Sequence, residues 1–183
     1  MPNNARQQYL VISALGEDRP GIVNDLSEQV LRSGANILDS RMTKLGGEFA
    51  VLMMVEGNWN AIAKLEHGLP GLQRPLQLTI TTRRTRGEAQ RAARQEMPYT
   101  VDVVSIDHPG IVNQLAGFFS KRNINIQDFY TDSYRAAHTG TRMFSVTMTI
   151  GIPDGINIAR LRDEFLEFCD SLNLDAVLEP LKR

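Results

Sequence analysis

Apolar and polar positions follow the same succession of patterns twice along the chain. A run rich in β-branched and aromatic residues, Tyr9–Leu15, predicts a strand, and Tyr99–Ile106 predicts its counterpart. Apolar residues at helical spacing follow each run. They are Ile22, Val23, Leu26 and Val30 in the first copy, and Ile111, Val112, Leu115 and Phe119 in the second. Each copy therefore begins with a strand and an amphipathic helix.

The middle of each copy predicts a pair of strands. Gly34 and Asn123 predict the helix ends, because both residue types tolerate positive φ. A strand is then expected from about Asn36 and from about Asn125. The third strands are predicted at FAVLMMVEG and MFSVTMTIG, after a hairpin tip at LGGE in the first copy and a longer YRAAHTGT segment in the second.

Each copy ends with a second helix and a last strand. The helices are predicted at NWNAIAKLEHGL and NIARLRDEFLEFCDSL, with Asn58 and Asn157 as N-caps. The last strands are predicted at PLQLTITT and LDAVLEPL. The order β-α-β-β-α-β favours a ferredoxin-like α+β fold, in which two helices cover one face of a four-stranded antiparallel sheet. The other face of each sheet is then free for another sheet, a subunit or a partner.

The two copies also share residues. PGIVNDLSEQVLRSGANILD and PGIVNQLAGFFSKRNINIQD align without gaps and are identical at 9 of 20 positions. This similarity predicts an internal duplication of a small domain. We place the first domain at residues 8–82, a linker at 83–97 and the second domain at 98–182.

Composition narrows the classes of function. The chain has 183 residues, 42% hydrophobic and 22% charged, with a formal net charge of -1, which predicts a folded protein and argues against a globally basic nucleic-acid binder. The start lacks a signal-peptide core and no long apolar run occurs, so we expect a cytoplasmic protein without a membrane span. The predicted linker is basic, but we interpret it as a solvated connector and expect no direct nucleic-acid binding. Its arginines are Arg83, Arg84, Arg86, Arg91 and Arg94.

The sequence offers few candidates for catalysis. His67, His108 and His138 have no metal-ligand spacing, and no paired cysteines or phosphate-binding loop occur. Cys169 is surrounded by apolar residues on a predicted helix, so packing is favoured over a nucleophilic role. We therefore expect no catalytic residues, no metal site and no enzyme activity.

The repeated phrase lies at the corner between the first strand and the first helix. Asp18 and Asp107 precede the helices, and Pro20 and Pro109 are predicted in their first turns. One interpretation is structural: each Asp caps its helix. The other is a binding site, because unpaired N–H groups at a helix start attract a carboxylate while an Asp carboxylate attracts an ammonium group. These groups together complement a free amino acid.

Two asparagines are candidates for the same site. Asn36 and Asn125 begin the predicted second strands, which we expect beside the first strands. Their amides would then reach the corner loops. The alternative is that each is only a turn residue after the helix.

The phrases DRPGIV and DHPGIV, each followed by a helix and then by ANI or INI, resemble the ACT domain, and the resemblance covers both copies. It implies β-α-β-β-α-β regulatory modules that bind amino acids, often between paired domains. It implies ligand contacts at Asp18, Arg19, Pro20, Gly21, Ile22 and Asn36, and at Asp107, His108, Pro109, Gly110, Ile111 and Asn125.

The chain departs from the serine-binding ACT pattern at two positions per copy. That pattern has Asn where this chain has Asp18 and Asp107, and His where it has Gly16 and Ser105. The ligand therefore need not be serine, and one copy can have lost binding.

Two ACT units with nothing else attached resemble the family of glycine cleavage system repressors. That resemblance implies an accessory repressor that acts on a LysR-type activator protein rather than on DNA, with glycine or another small amino acid as effector and no further cofactor. A homo-oligomer is compatible with it. The alternatives are a ligand-independent interaction module and an allosteric subunit of an enzyme of amino-acid metabolism.

Overall fold

A computed structural model describes residues 7–86 and 96–182, which form two compact units. The elements of the first unit are β1 (Gln8–Glu17), α1 (Ile22–Ser33), β2 (Asn36–Leu45), β3 (Glu48–Gly57), α2 (Trp59–Gly68), α3 (Pro70–Leu76) and β4 (Leu78–Thr85). Those of the second unit are β5 (Glu96–Ile106), α4 (Ile111–Ser120), β6 (Asn125–Arg135), β7 (Arg142–Pro153), α5 (Ile158–Ser171) and β8 (Asp175–Pro180).

Each unit contains one four-stranded antiparallel sheet. The strand orders are β2-β3-β1-β4 and β6-β7-β5-β8. The predicted α+β, ferredoxin-like fold is confirmed in both copies. The second strand is not beside the first, however, because β3 lies between β2 and β1, and β7 lies between β6 and β5.

The core of each unit lies between the sheet and its helices. In the first unit, alternate residues of β1 such as Leu10 and Ile12 meet Leu26 of α1 and Leu65 of α2, and all four are fully buried. Full burial of one such side chain contributes roughly 1.5–3 kcal/mol. The period of two along the strand and of 3.6 along the helix therefore fixes which faces meet.

The core of the second unit is richer in aromatic residues. Phe118 and Phe119 of α4 lie 5.3 Å apart between ring centroids, and each lies 5.2 Å from Phe165 of α5. Cys169 of α5 is buried in the same cluster. Desolvation raises the pKa of its thiol to about 12, so the thiol stays protonated at neutral pH. The predicted packing role of this cysteine is consistent with that environment.

The predicted caps of the second helices are confirmed. The side chain of Asn58 accepts a hydrogen bond from the Ala61 N–H at 2.9 Å, and that of Asn157 accepts one from the Arg160 N–H at 3.0 Å. Gly34 ends α1 with φ 79°, as predicted.

The starts of the first helices differ from the prediction. Pro20 and Pro109 lie before the helices rather than in their first turns, because Gly21 and Gly110 are the N-caps, with φ 98° and 100°. A left-handed φ at this position is accessible to glycine without steric cost.

Two further boundaries differ. The helix α3 was not predicted, and it moves the start of the last strand from Pro75 to Leu78. Asn123 has the predicted positive φ, 54°, but lies beyond α4, which ends at Ser120.

The predicted linker overlaps the described strands at both ends. Arg83 and Arg84 belong to β4, where Arg84 forms an ion pair with Glu66 of α2. β5 begins at Glu96. Arg91 and Arg94 lie outside the described residues, as does the segment 87–95.

Candidate functional site: two strand-to-helix corners

The first corner is held to the neighbouring hairpin by its aspartate. After β1 ends, the Asp18 N–H donates to the Gly47 carbonyl at 3.1 Å. The Asp18 carboxylate, whose Oδ2 lies 2.6 Å from Lys44 Nζ, forms an ion pair with β2. Backbone and side chain of the same residue therefore fix the corner against the β2–β3 turn.

The second corner repeats this arrangement with a different partner strand. The Asp107 N–H donates to the Arg142 carbonyl at 3.0 Å, and Asp107 Oδ2 lies 2.7 Å from Arg142 Nε. Lys44 stands near the end of β2, whereas Arg142 begins β7. An aspartate paired with a cation thus recurs at both corners, although the two hairpins differ in length and in the residue that supplies the charge.

The capping interpretation of these aspartates is wrong. Within residues 7–86 and 96–182, no side chain caps α1 or α4, because both N-caps are glycines and the carboxylates of Asp18 and Asp107 are turned to Lys44 and Arg142.

The starts of α1 and α4 keep donors that the helices do not use. The first bond within α1 runs from the Asp25 N–H to the Gly21 carbonyl at 2.9 Å, and the Gln114 N–H makes the same bond to Gly110 at 2.9 Å. The N–H groups of the three preceding residues in each helix have no intrahelical acceptor. Together with the helix dipole they favour an anion at each corner.

The residue after each aspartate has a different role in the two units. The Arg19 guanidinium donates to the Pro75 carbonyl of α3 at 2.9 Å. His108 Nδ1 lies 3.2 Å from the carbonyl oxygen of its neighbour Pro109. The first corner is therefore tied to an extra helix, whereas the hydrogen bond of the His108 ring stays within its own loop.

The positions two residues before the aspartates also differ. A Cβ at Gly16 would lie 2.3 Å from the Gln77 carbonyl oxygen, so the backbone of the α3–β4 turn excludes any side chain there. Ser105 is buried at the equivalent position, and its hydroxyl donates to the Ile106 carbonyl at 3.1 Å.

A cavity of about 540 Å³ opens beside the second corner. His108 and Gly110 of the loop, Val112 and Ala116 of α4, and Phe144 of β7 contribute to its lining. Its volume lies within the range of small-molecule sites, roughly 300–1,000 Å³.

Comparisons with known proteins agree with the fold. A family model described as the ACT domain matches residues 8–83. The glycine cleavage system transcriptional repressor of Escherichia coli strain K12 is 34% identical over 167 residues, which cover 91% of this chain and 87% of that protein. This chain belongs to the ACT-domain family.

Two solved structures extend this result to the whole tandem ACT chain. One, described as a glycine cleavage system transcriptional repressor, is 29% identical with a TM-score of 0.75 and covers 97% of this chain and 99% of its own. A protein of unknown function from Galdieria sulphuraria is 27% identical with a TM-score of 0.77 and covers 96% and 99%. The kinship of this ACT protein with a named repressor supports a regulatory role.

The predicted meeting of the asparagines with the corners is wrong within one ACT unit. Asn36 pairs with Glu56, which pairs with Tyr9 at the opposite end of β1 from Asp18. Asn125 is placed in the same way, opposite Gly151 and Pro98. Nine residues separate each corner aspartate from that end of its strand, roughly 30 Å at about 3.3 Å per residue.

Lys44 and Arg142 are the corner residues that sequence reasoning missed. They lie on different strands, so aligning the two copies does not superpose them. A cation beside the tip of each hairpin is the signal that both share.

Within residues 7–86 and 96–182 no cluster of His, Cys, Asp and Glu could hold a metal ion. No helix in those ranges is long and apolar enough to cross a membrane.

Proposed function

We propose that this tandem ACT protein senses a small amino acid and regulates transcription through a protein partner. The observation that carries the proposal is the repeated corner, where unused helix N–H groups stand beside an Asp–cation pair. The kinship with the named repressor of Escherichia coli supports the transcriptional role.

The corner offers complementary charges to a zwitterion. A ligand carboxylate is attracted by the helix N–H groups and by Lys44 or Arg142. Asp18 and Asp107 each pair through Oδ2, and the second carboxylate oxygen, Oδ1, has no partner in the described parts of the chain. That oxygen can accept from the ligand's ammonium group.

The Escherichia coli relative is named for the glycine cleavage system, which supports glycine as the signal. A LysR-type activator is the partner that the resemblance implies. Glycine would shift the chain toward one of two conformations, and the activator would recognise only one of them. This requires that glycine bind the two conformations with different affinities.

Isothermal titration calorimetry with glycine, serine, alanine and leucine tests the sensing step. We expect saturable binding of glycine at micromolar to millimolar concentration. Asp107→Asn keeps the side chain's size but removes its charge, so we expect at least about a tenfold loss of affinity at the second corner. Asp128→Asn, a change of the same kind on β6 away from the corner, is the control.

The Asp107→Asn variant should lose amino-acid binding without a large loss of stability. Arg142 is largely exposed, so loss of its pair with Asp107 should cost less than about 1 kcal/mol of unfolding free energy. No heat with any of the four amino acids up to millimolar concentration would contradict the sensing step. Affinity purification of the chain from its native cell, with and without glycine, then tests for the activator.

A further inference from the structure

A groove on the helical face of the second unit adjoins the corner cavity, with which it shares Asn113 and Ala116, and extends away from the corner. It runs between α4 and α5 and encloses about 930 Å³. α4 follows β5 and α5 follows β7, and because these two strands are antiparallel neighbours the helices also run in opposite directions. Arg122 just after α4 forms an ion pair at 2.9 Å with Glu164 of α5.

The floor of the groove is aromatic and held in place. Phe118 and Phe168 lie 5.1 Å apart between ring centroids with their planes 32° apart. The Arg122 guanidinium covers the Phe118 ring at 3.7 Å from its centroid and also bonds Glu164. The cation–π contact and the ion pair together limit the rotamers that Arg122 and Phe118 can adopt.

The two walls carry opposite and unused charges. Lys121 lies at the C-terminal end of α4 and Glu167 lies on α5, and both are exposed. Within the described residues neither side chain forms an ion pair or hydrogen bond. One wall therefore presents a cation and the other a carboxylate.

One other feature of the α4 wall suits contact with another protein surface. A Cβ at Gly117 would meet nothing within 4 Å, so packing within the chain does not require glycine there. A glycine in a helix lets another backbone approach closely.

We propose that this groove docks on the same groove of a second copy of the chain. A twofold axis along the groove places α4 of one copy over α5 of the other. Because the α4 wall is cationic and the α5 wall is acidic, Lys121 of each copy then faces Glu167 of the partner subunit, and the pair occurs twice. The surface is thus complementary to itself, as a twofold interface requires.

Charge reversal in the full chain tests this arrangement by sedimentation velocity over a concentration series. Wild type is expected to dimerise. Lys121→Glu and Glu167→Lys should each raise the dimer dissociation constant at least about tenfold, because each creates two like-charge contacts. The double variant Lys121→Glu/Glu167→Lys should restore the dimer. Lys64→Glu, on the exposed face of α2 in the first unit, is the matched control and should leave the constant unchanged.

Each other outcome overturns the proposal. A wild-type chain that stays monomeric up to about 100 µM shows that the groove does not serve self-association. A dimer that the single reversals leave intact uses another surface. A double variant that has native circular dichroism but stays monomeric rules out the Lys121–Glu167 pairing.

Discussion

The two corners carry the same phrase but lie in different surroundings. In the first unit, α3 supplies the Pro75 carbonyl that binds Arg19, and its C-terminal turn places the Gln77 carbonyl against Gly16. In the second unit α5 passes to β8 through residues 172–174, and a cavity opens beside His108. Duplication therefore preserved the strand, the glycine N-cap and the Asp–cation pair, while the insertion of one short helix changed what surrounds them.

This difference separates what the fold needs from what a ligand needs. Gly21 and Gly110 have nearly the same φ, and Asp18 and Asp107 both form an ion pair with a cation. Since both units have these features, we assign them to the fold. Arg19 is engaged by the protein itself, whereas His108 borders open space. We therefore expect the second corner to bind an amino acid more tightly than the first, which the Asp18→Asn and Asp107→Asn variants distinguish.

The largest effect is expected from one added methyl group in the first unit. Gly16→Ala places its Cβ against the Gln77 backbone, which cannot rotate away, so we expect a loss of roughly 2–3 kcal/mol in the free energy of unfolding. Gly71→Ala adds the same group to α3, where nothing lies within 4 Å, and should not destabilise the chain. Urea denaturation measures both. Equal stability of the two variants would show that the α3–β4 turn yields, and the contrast with Ser105 would lose its physical basis.

Periodicity predicted the fold well because it depends on local rules. Ile22 and Leu26 set the register of α1, and Asn58 capped α2 as its residue type suggests. The helix α3 was missed because Pro70 and Pro75 look like a break. Pro70 stands in the first turn, however, where its missing N–H costs nothing.

The site was harder to predict because it depends on strand order. Asn36 was expected near Asp18, but the insertion of β3 between β1 and β2 and the direction of β2 place it at the far end. Lys44 and Arg142 reach equivalent aspartates from different strands. Pairings between residues that are distant in sequence leave no mark in the local pattern of either copy.

A smaller effect should distinguish Arg19 from His108. Arg19→Ala removes the hydrogen bond to the Pro75 carbonyl, so we expect a loss of about 1 kcal/mol in the free energy of unfolding. His108→Ala removes only a contact within an exposed loop and should cost less than about 0.5 kcal/mol. Urea denaturation of both variants measures the difference. If His108→Ala costs as much as Arg19→Ala, attachment to α3 is not what distinguishes the corners.

The smallest effect concerns pH and an ion pair in each unit. In the first unit, Arg84 Nε and Nη2 donate to the two Glu66 carboxylate oxygens at 3.0 and 2.7 Å, and this bonding lowers the pKa of Glu66. In the second unit, hydrogen bonds from Arg160 and then Arg122 lower the pKa of Glu164. Because the folded-state pKa lies below the unfolded value of about 4.3, each contribution to stability is present above that pH and is lost as pH falls through the folded-state pKa.

Glu66→Gln should therefore cost less than about 1 kcal/mol at pH 7, since the pair is near the surface, and the difference from wild type should shrink as pH falls below about 4. Glu164→Gln should show the same sign in the second unit, whereas Glu28→Gln, in an exposed pair within α1, is the control for a general charge effect. Urea denaturation at pH 7, 5 and 3.5 measures the trend. A difference between wild type and Glu66→Gln that does not change with pH would mean that Arg84 does not stabilise the ionised carboxylate. The two units would then differ in acid response, because only Glu164 would depend on its arginine partners.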